Sequence, residues 1–312
     1  MVQKKIPHIA ILMCTHNGEQ YLKEQLDSIQ NQDYKNWTLY VNDDGSKDST
    51  LDILKSYQKK WGLQKLIIRS RYQMGFCQNF LNIINDKKIT ADFYFLSDQD
   101  DIWMPHKLNH TIKKLSKLDQ SKPSLYCART TYLSSDAKII LGQSELFLKP
   151  PSFKNAIVQC IAGGNSMAFN QQLKNIVQRY PEVNVVSHDW WLYIINELVG
   201  GQTFYDPEST ILYRQHSQSL IGSNTGFIAK IKRLNMLING TYRSYNTKHL
   251  NVLNQLSFKM SIKENINLID QFLILRDKSL RVRWKMINSI GIYRQTWMSH
   301  IALYLGVIFN KL

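Results

Sequence analysis

The chain has 312 residues, 44% of them hydrophobic and 20% charged. That is ordinary for a globular protein, and long enough to bury a sizeable core as one large domain with an appendage. Its four cysteines (Cys14, Cys77, Cys127, Cys160) lie far apart, with no C-x-x-C and no nearby His pair; this excludes a disulfide framework and a structural zinc site and points to a reducing compartment.

In chain order, the first apolar run is Ile9–Cys14. It is too short for a signal peptide and lacks a small-residue cleavage site, so His8–Cys14 reads as a strand. Gly18–Gln30 reads as a helix with Leu22, Leu26 and Ile29 on one face. Trp37–Asn42 follows as a strand, and Ser49–Lys60 as a helix presenting Leu51, Leu54 and Tyr57. Lys65–Ser70 reads as a strand, Phe76–Asn85 as a helix and Asp92–Ser97 as a strand. The alternation predicts an α/β fold with a mostly parallel central sheet flanked by helices. Ligands bind such sheets beyond the carboxyl ends of the strands. Thr15-His16-Asn17, Asp43-Asp44 and Asp98–Asp101 fall there.

The third of these groups carries the strongest chemical signal. The run Phe93-Tyr-Phe-Leu96 stops at three carboxylates, Asp98, Asp100 and Asp101. Like charges this close repel unless a cation neutralises them or water solvates them. Hard oxygen ligands suit Mg²⁺ or Mn²⁺, ions that keep coordination for water and phosphates. Asn42-Asp43-Asp44-Gly45-Ser46 is a second acidic turn of the same kind. No G-x-x-x-x-G-K-[ST] and no G-x-G-x-x-G after a strand is present, which argues against a P-loop phosphotransferase and a dinucleotide oxidoreductase. A nucleotide would have to be held by carboxylates and a metal. Farther on, His188-Asp189-Trp190-Trp191 opens an apolar helix, and Gly163-Gly164 precede a strand. The strand-like Ser209–Tyr213 runs into Arg214-Gln215-His216-Ser217-Gln218-Ser219.

The net charge of +15 is uneven. Residues 226–312 hold fourteen Lys/Arg against three acids, leaving +4 for the first 225. No nucleic-acid fold signature accompanies the basic tail, so nucleic acid is not expected as a partner. Arg281–Ile287 mixes cations with Trp284, and Trp297–Phe309 is strongly apolar but shorter than the ~20 residues a spanning helix needs. Two readings stay open: helices lying in an anionic membrane interface, or helices packed on the core or on a second subunit.

Together, Cys14–Glu19, Val41–Thr50, Phe95–Trp103 and His188–Trp191 resemble the motifs of family 2 glycosyltransferases of the GT-A fold. The chain is most similar to the bacterial rhamnosyltransferases of cell-wall and capsular rhamnose polysaccharides, including those of streptococci. The likeness spans about residues 6–222 and implies a GT-A catalytic domain at 1–225, with 226–312 as a basic amphipathic helical region. It further implies that Thr15, His16, Asn17 and Asp44 hold the nucleotide, with Asp44 accepting the pyrimidine N3–H. Asp43 is the alternative for that bond. The family often has Tyr where His16 stands. Asp98 and Asp100 form the D-x-D motif, with Asp100 touching an Mn²⁺ or Mg²⁺ ion, His216 beside it and Arg214 near the diphosphate. Asp101 supports that motif or caps a helix. Asp189 is the general base, and Trp103, Gly164, His188, Trp190 and Trp191 face the sugar or acceptor. The implied reaction is a single inverting displacement from dTDP-β-L-rhamnose onto a lipid-linked oligosaccharide, by a cytoplasmic enzyme held peripherally at the inner face of the membrane. A UDP-hexose transferase of the same fold and a non-catalytic nucleotide-sugar or polysaccharide binder are the alternatives.

Overall fold

The computed structural model describes residues 6–70, 73–216, 235–236, 239–260 and 262–312. The expected boundary at 225/226 and the segment Ser217–Ser219 lie outside them. The first half follows the alternation: β1 (Ile9–Thr15), α1 (Leu22–Gln30), β2 (Trp37–Asp43), α2 (Thr50–Trp61), β3 (Leu66–Ser70), α3 (Phe76–Asn85) and β4 (Phe93–Ser97). One start differs. The helix expected from Gly18 begins at Leu22, after a turn in which Tyr21 N and Leu22 N both donate to Gly18 O (3.2 and 3.0 Å) and the earlier donors are held by the next loop. Gly18 N donates to Thr50 Oγ1 (2.7 Å) and Glu19 N to Asp48 Oδ2 (3.0 Å).

The chain continues through β5 (Ile102–Trp103), α4 (Lys107–Leu115), β6 (Ser124–Ala128), β7 (Thr131–Leu133), β8 (Ile140–Gln143) and α5 (Phe153–Ala156). A 3₁₀ turn at Gly164–Ser166 leads to β9 (Ala168–Asn170), α6 (Gln171–Val177), α7 (His188–Leu198), β10 (Gln202–Asp206) and β11 (Ile211–Arg214). The tail holds α8 (Thr241–Met260), α9 (Lys263–Leu275), α10 (Leu280–Ile290) and α11 (Trp297–Ile308).

The main sheet has strand order β10-β6-β9-β4-β1-β2-β3, parallel except for β9, which runs antiparallel to both neighbours. A smaller sheet, β5-β11-β7-β8, stands beside it. Successive residues of a strand face opposite sides, and β1 shows the consequence. Ile9, Ile11 and Met13 join the apolar layer with Leu22, Leu26 and Leu54 of α1 and α2. Ala10 and Leu12 join the opposite layer with Phe80, Leu192 and Ile195 of α3 and α7. Leu250, Leu253, Ile269, Phe272, Leu303 and Val307 belong to that second layer, so α8, α9 and α11 pack against the core. Among the described residues, no helix is long and apolar enough to cross a membrane.

Candidate functional site

Strand register assembles the site. Thr15 at the end of β1 lies level with Asp43 at the end of β2, and Met13 lies level with Ser97 at the end of β4. The three loops that follow therefore open side by side at one sheet edge.

On the β1–β2 side, Asp43 is fully buried and organises its own turn. It accepts from Thr15 Oγ1 (2.9 Å), Gly45 N (3.2 Å) and Ser46 N (2.9 Å). Thr15 is thus a support for Asp43 and is itself buried, a correction to its expected contact with a nucleotide. Asp44 accepts from Met74 N and Gly75 N, one per carboxylate oxygen, both at 2.8 Å. Its carboxylate is anchored at the head of α3, with further lone pairs for an imide donor. His16 is exposed at the rim, its Nδ1 3.2 Å from Asp44 O. Asn17 has a left-handed backbone (φ 48°), and its Oδ1 accepts from Lys47 N (2.9 Å). Motif reading missed Gln99. Its amide pairs with the His16 backbone in both directions, His16 N to Oε1 (2.9 Å) and Nε2 to His16 O (3.0 Å). It thereby ties the first loop to the acidic loop. A Cβ at Gly18 would collide with that amide.

The carboxylates of Asp98, Asp100 and Asp101 offer oxygens within 4.8 Å of one another. His216 Nε2 lies 2.8 Å from Asp100 Oδ2, so the structure brings His216 to the acidic loop from over 100 residues away. Desolvation holds Asp98 well above the usual carboxylate range, and the charges of Asp101, Asp100 and Asp189 add to it. Hard oxygens, an imidazole and excess negative charge make a donor set that fits Mn²⁺ or Mg²⁺. Asp101 belongs to the same cluster but is held from behind. It is fully buried, accepts from Asn165 Nδ2 (2.8 Å) and Arg214 N (3.3 Å), and caps no helix. Burial, then the Asp100 charge, pushes it up to about 8.

Arg214 was expected near a diphosphate. It is instead a buried clamp. Its Nη2 donates to Glu24 Oε2 (2.8 Å), Nη1 to Ser135 O (2.8 Å) and Nε to Asp100 O (3.0 Å). The guanidinium lies 4.7 Å from the Tyr21 ring, and that ring is 4.9 Å from His216. Glu24 and Tyr21 carry no motif. Their role arises only when α1 meets β11.

Asp189 sits in the first turn of α7, where a carboxylate complements the helix dipole. Three donors orient it: Ser187 Oγ, Trp190 N (2.7 Å) and Gly164 N (3.2 Å). Gly164 therefore touches the expected base directly. The neighbouring aromatics differ from expectation. Trp191 and His188 are fully buried, and Trp103 and Trp190 are 2% and 8% exposed. His188 stacks on Phe80 at 4.1 Å, Trp190 Nε1 donates to Ala156 O (2.7 Å), and Lys107 Nζ covers Trp103 at 4.9 Å. These four are core residues and present no face to a sugar. The helix that carries Asp189 needs them to seat it. A second group, His110, Asp206 and Glu208, also clusters, but Lys114 Nζ already approaches Asp206 at 3.7 Å, as expected of an ion-pair network.

Residues 10–159 match the family model described as Glycosyl transferase family 2. The dTDP-rhamnosyl transferase RfbG of Shigella flexneri is 30% identical over 253 residues, covering 79% of this chain and 86% of that protein. Among solved structures, a mannosyltransferase of Pyrobaculum calidifontis in complex with GDP-Man and Mn²⁺ aligns at TM-score 0.51 and 15% identity, over 98% of this chain and 88% of that one. GalNAc-T7 with UDP, GalNAc and Mn²⁺ aligns at TM-score 0.56 and 10% identity, over 97% of this chain and 58% of that one. At such identities the solved structures speak to the fold alone.

Proposed function

The chain belongs to glycosyl transferase family 2 and has the GT-A fold, and from that premise we propose that it transfers L-rhamnose from dTDP-β-L-rhamnose, with inversion, to a lipid-linked saccharide of cell-wall or capsular polysaccharide synthesis. The observation that carries the chemistry is the cluster of Asp98, Asp100 and Asp101, with His216 against Asp100 and the Asp189 charge felt at Asp98. The likeness to RfbG supports the sugar. The cation excess of residues 226–312 supports work at the inner face of an anionic membrane.

A divalent ion held by Asp98, Asp100 and His216 would offset the charge of the donor diphosphate. Asp189 takes the proton of the acceptor hydroxyl as that oxygen bonds to the anomeric carbon. The bond from that carbon to the diphosphate breaks, and the nucleotide diphosphate leaves on the opposite side. Arg214 and Gln99 hold the acidic loop in register with α1 and the His16 loop, so that the reacting groups stay aligned. Asp44 and the exposed His16 ring frame the base.

A donor panel tests this reading. Turnover of dTDP-rhamnose, UDP-glucose, UDP-galactose and UDP-N-acetylglucosamine is followed with Mn²⁺, with Mg²⁺ and in excess chelator. Consumption of dTDP-rhamnose that depends on the ion is expected. Preference for a UDP-sugar would overturn the sugar assignment, and full turnover in chelator would overturn the metal.

A further inference from the structure

A run of exposed apolar residues extends from the catalytic mouth to the tail. Among the described residues β8 ends the small sheet, and Ile140 is 64% exposed there, with Ile139 at its entrance. The strap that follows leaves Leu148 84% exposed. That strap is fastened to the turn before α11. Lys149 N donates to Gln295 Oε1 (3.1 Å), Gln295 Nε2 to Lys149 O (3.1 Å) and Lys149 Nζ to Arg294 O (2.9 Å). Trp297, at the start of α11, is 72% exposed, and Ile301, one turn later, is 49% exposed. At its other end the hairpin borders the candidate metal site. β7 pairs with β11, the strand leading to His216, and Ser135 O accepts from the Arg214 guanidinium.

An open sheet edge with apolar side chains invites a partner, and a monomer seldom leaves such a patch bare. The charge of the segments that carry it selects the partner. On the hairpin and strap, Lys138 and Lys149 offset Asp136 and Glu145; residues 278–312, which include Trp297 and Ile301, hold six Lys/Arg and no acid. Aliphatic and Trp side chains on a segment of net positive charge are the chemistry of a surface that enters the headgroup layer of an anionic bilayer.

We propose that the belt from Ile140 through Leu148 to Trp297 and Ile301 is a membrane-docking face that lays the catalytic mouth beside the lipid headgroups. There an acceptor saccharide on a lipid carrier would be presented. The proposal rests on the reading of that acceptor as lipid-linked.

Co-sedimentation of the full chain with phosphatidylglycerol/phosphatidylcholine vesicles tests it, with phosphatidylcholine vesicles alone as control. Binding that needs phosphatidylglycerol and weakens with salt is expected. Leu148→Glu and Trp297→Glu should each bind about tenfold less tightly, the scale of losing one buried apolar side chain. Both sites are exposed, so melting curves and turnover with a water-soluble acceptor should match the wild type. Vesicle binding unchanged in the double variant would overturn the proposal. So would a wild type that ignores vesicles and forms a dimer that Leu148→Glu dissociates. Vesicle binding that persists in a preparation lacking all dTDP-rhamnose turnover would count against the rhamnosyl reading and leave the docking face supported.

Discussion

Asp100 and Asp101 are adjacent and share one cluster, yet their carboxylates have different partners. Asp100 meets His216 in the cleft, whereas Asp101 is closed over by Asn165 and the Arg214 backbone. Asp100→Asn should therefore abolish ion-dependent turnover without moving the melting temperature. Asp101→Asn should keep part of the turnover and lose stability. Its new amide can set a second donor against Asn165 or Arg214, and a buried mismatch of that kind costs about 1–3 kcal/mol. Turnover assays and calorimetric melting on both variants separate the two roles; equal melting losses would show that Asp100 is structural too. Asp189 is tested differently. Asp189→Asn should retain donor affinity by titration calorimetry and lose transfer by roughly two to four orders of magnitude, the scale of a general base. Affinity that collapses along with transfer would make Asp189 a donor ligand.

The start of α7 depends on elements packed around it, and two of them can be perturbed separately. A Cβ at Gly164 would stand 2.5 Å from His188 Nε2 and 3.5 Å from Asp189 Cβ. His188 cannot yield easily, since it stacks on Phe80 and meets the Phe76 ring at 4.9 Å. Gly164→Ala should push α7 outward and reduce kcat by about a hundredfold, as misplacement of a reacting group by an ångström does. Wild-type kcat in this variant would show that the imidazole moves freely. Behind the same helix, α8 contributes His249, whose Nε2 accepts from Val186 N (3.2 Å) and whose ring stands edge-on to Trp190 at 4.5 Å. Burial, then the Lys248 charge, holds its pKa down at about 3, against about 6.5 for a free imidazole. Between those values the unfolded chain binds a proton that the folded chain does not. The stability His249 contributes is therefore complete above pH 6.5 and is lost as the pH falls toward 3. Glu197 and Asp101, pushed up to about 7 and 8, slope the opposite way, so the comparison must be with a variant. The unfolding free energy of wild type minus that of His249→Phe should fall by about 1.4 kcal/mol per pH unit below 6.5. Urea titrations at pH 7, 6 and 5 measure it, and a difference that stays flat would show that the ring is not held neutral.

Over the whole chain, legibility follows the distance at which the cause acts. β1, β2, β4 and α3 lie where short apolar runs put them, and the acidic turns end those strands as expected. The small sheet joins β5, β11, β7 and β8 across gaps of up to about a hundred residues, and no local period marks it. The Arg214–Glu24 pair spans 190 positions and has no signature in either neighbourhood. Trp190 and Trp191 show the reverse limit. Their place at a helix start near the base suits either a sugar platform or a core, and only the packing of α3, α5 and α8 around them decides for the core. The tail poses the same problem at larger scale, because its charge points to a surface while part of its apolar content is buried. Leu250, Ile269, Phe272 and Val307 are fully buried in the layer that holds Trp191 and Leu192. At about 1.5–3 kcal/mol for each side chain, before the entropy of ordering the tail is counted, these four tie the tail to the back of α7. A chain ending at residue 225 should therefore expose the back of α7, bind a hydrophobic dye and aggregate, even though it keeps Asp98, Asp100, Asp189 and His216. Expression of residues 1–225 beside the full chain, followed by size-exclusion chromatography and dye binding, checks this. A soluble monomer with native circular dichroism and donor turnover would show that α8–α11 are an accessory to the fold, whereas aggregation would make them part of the catalytic domain's own core.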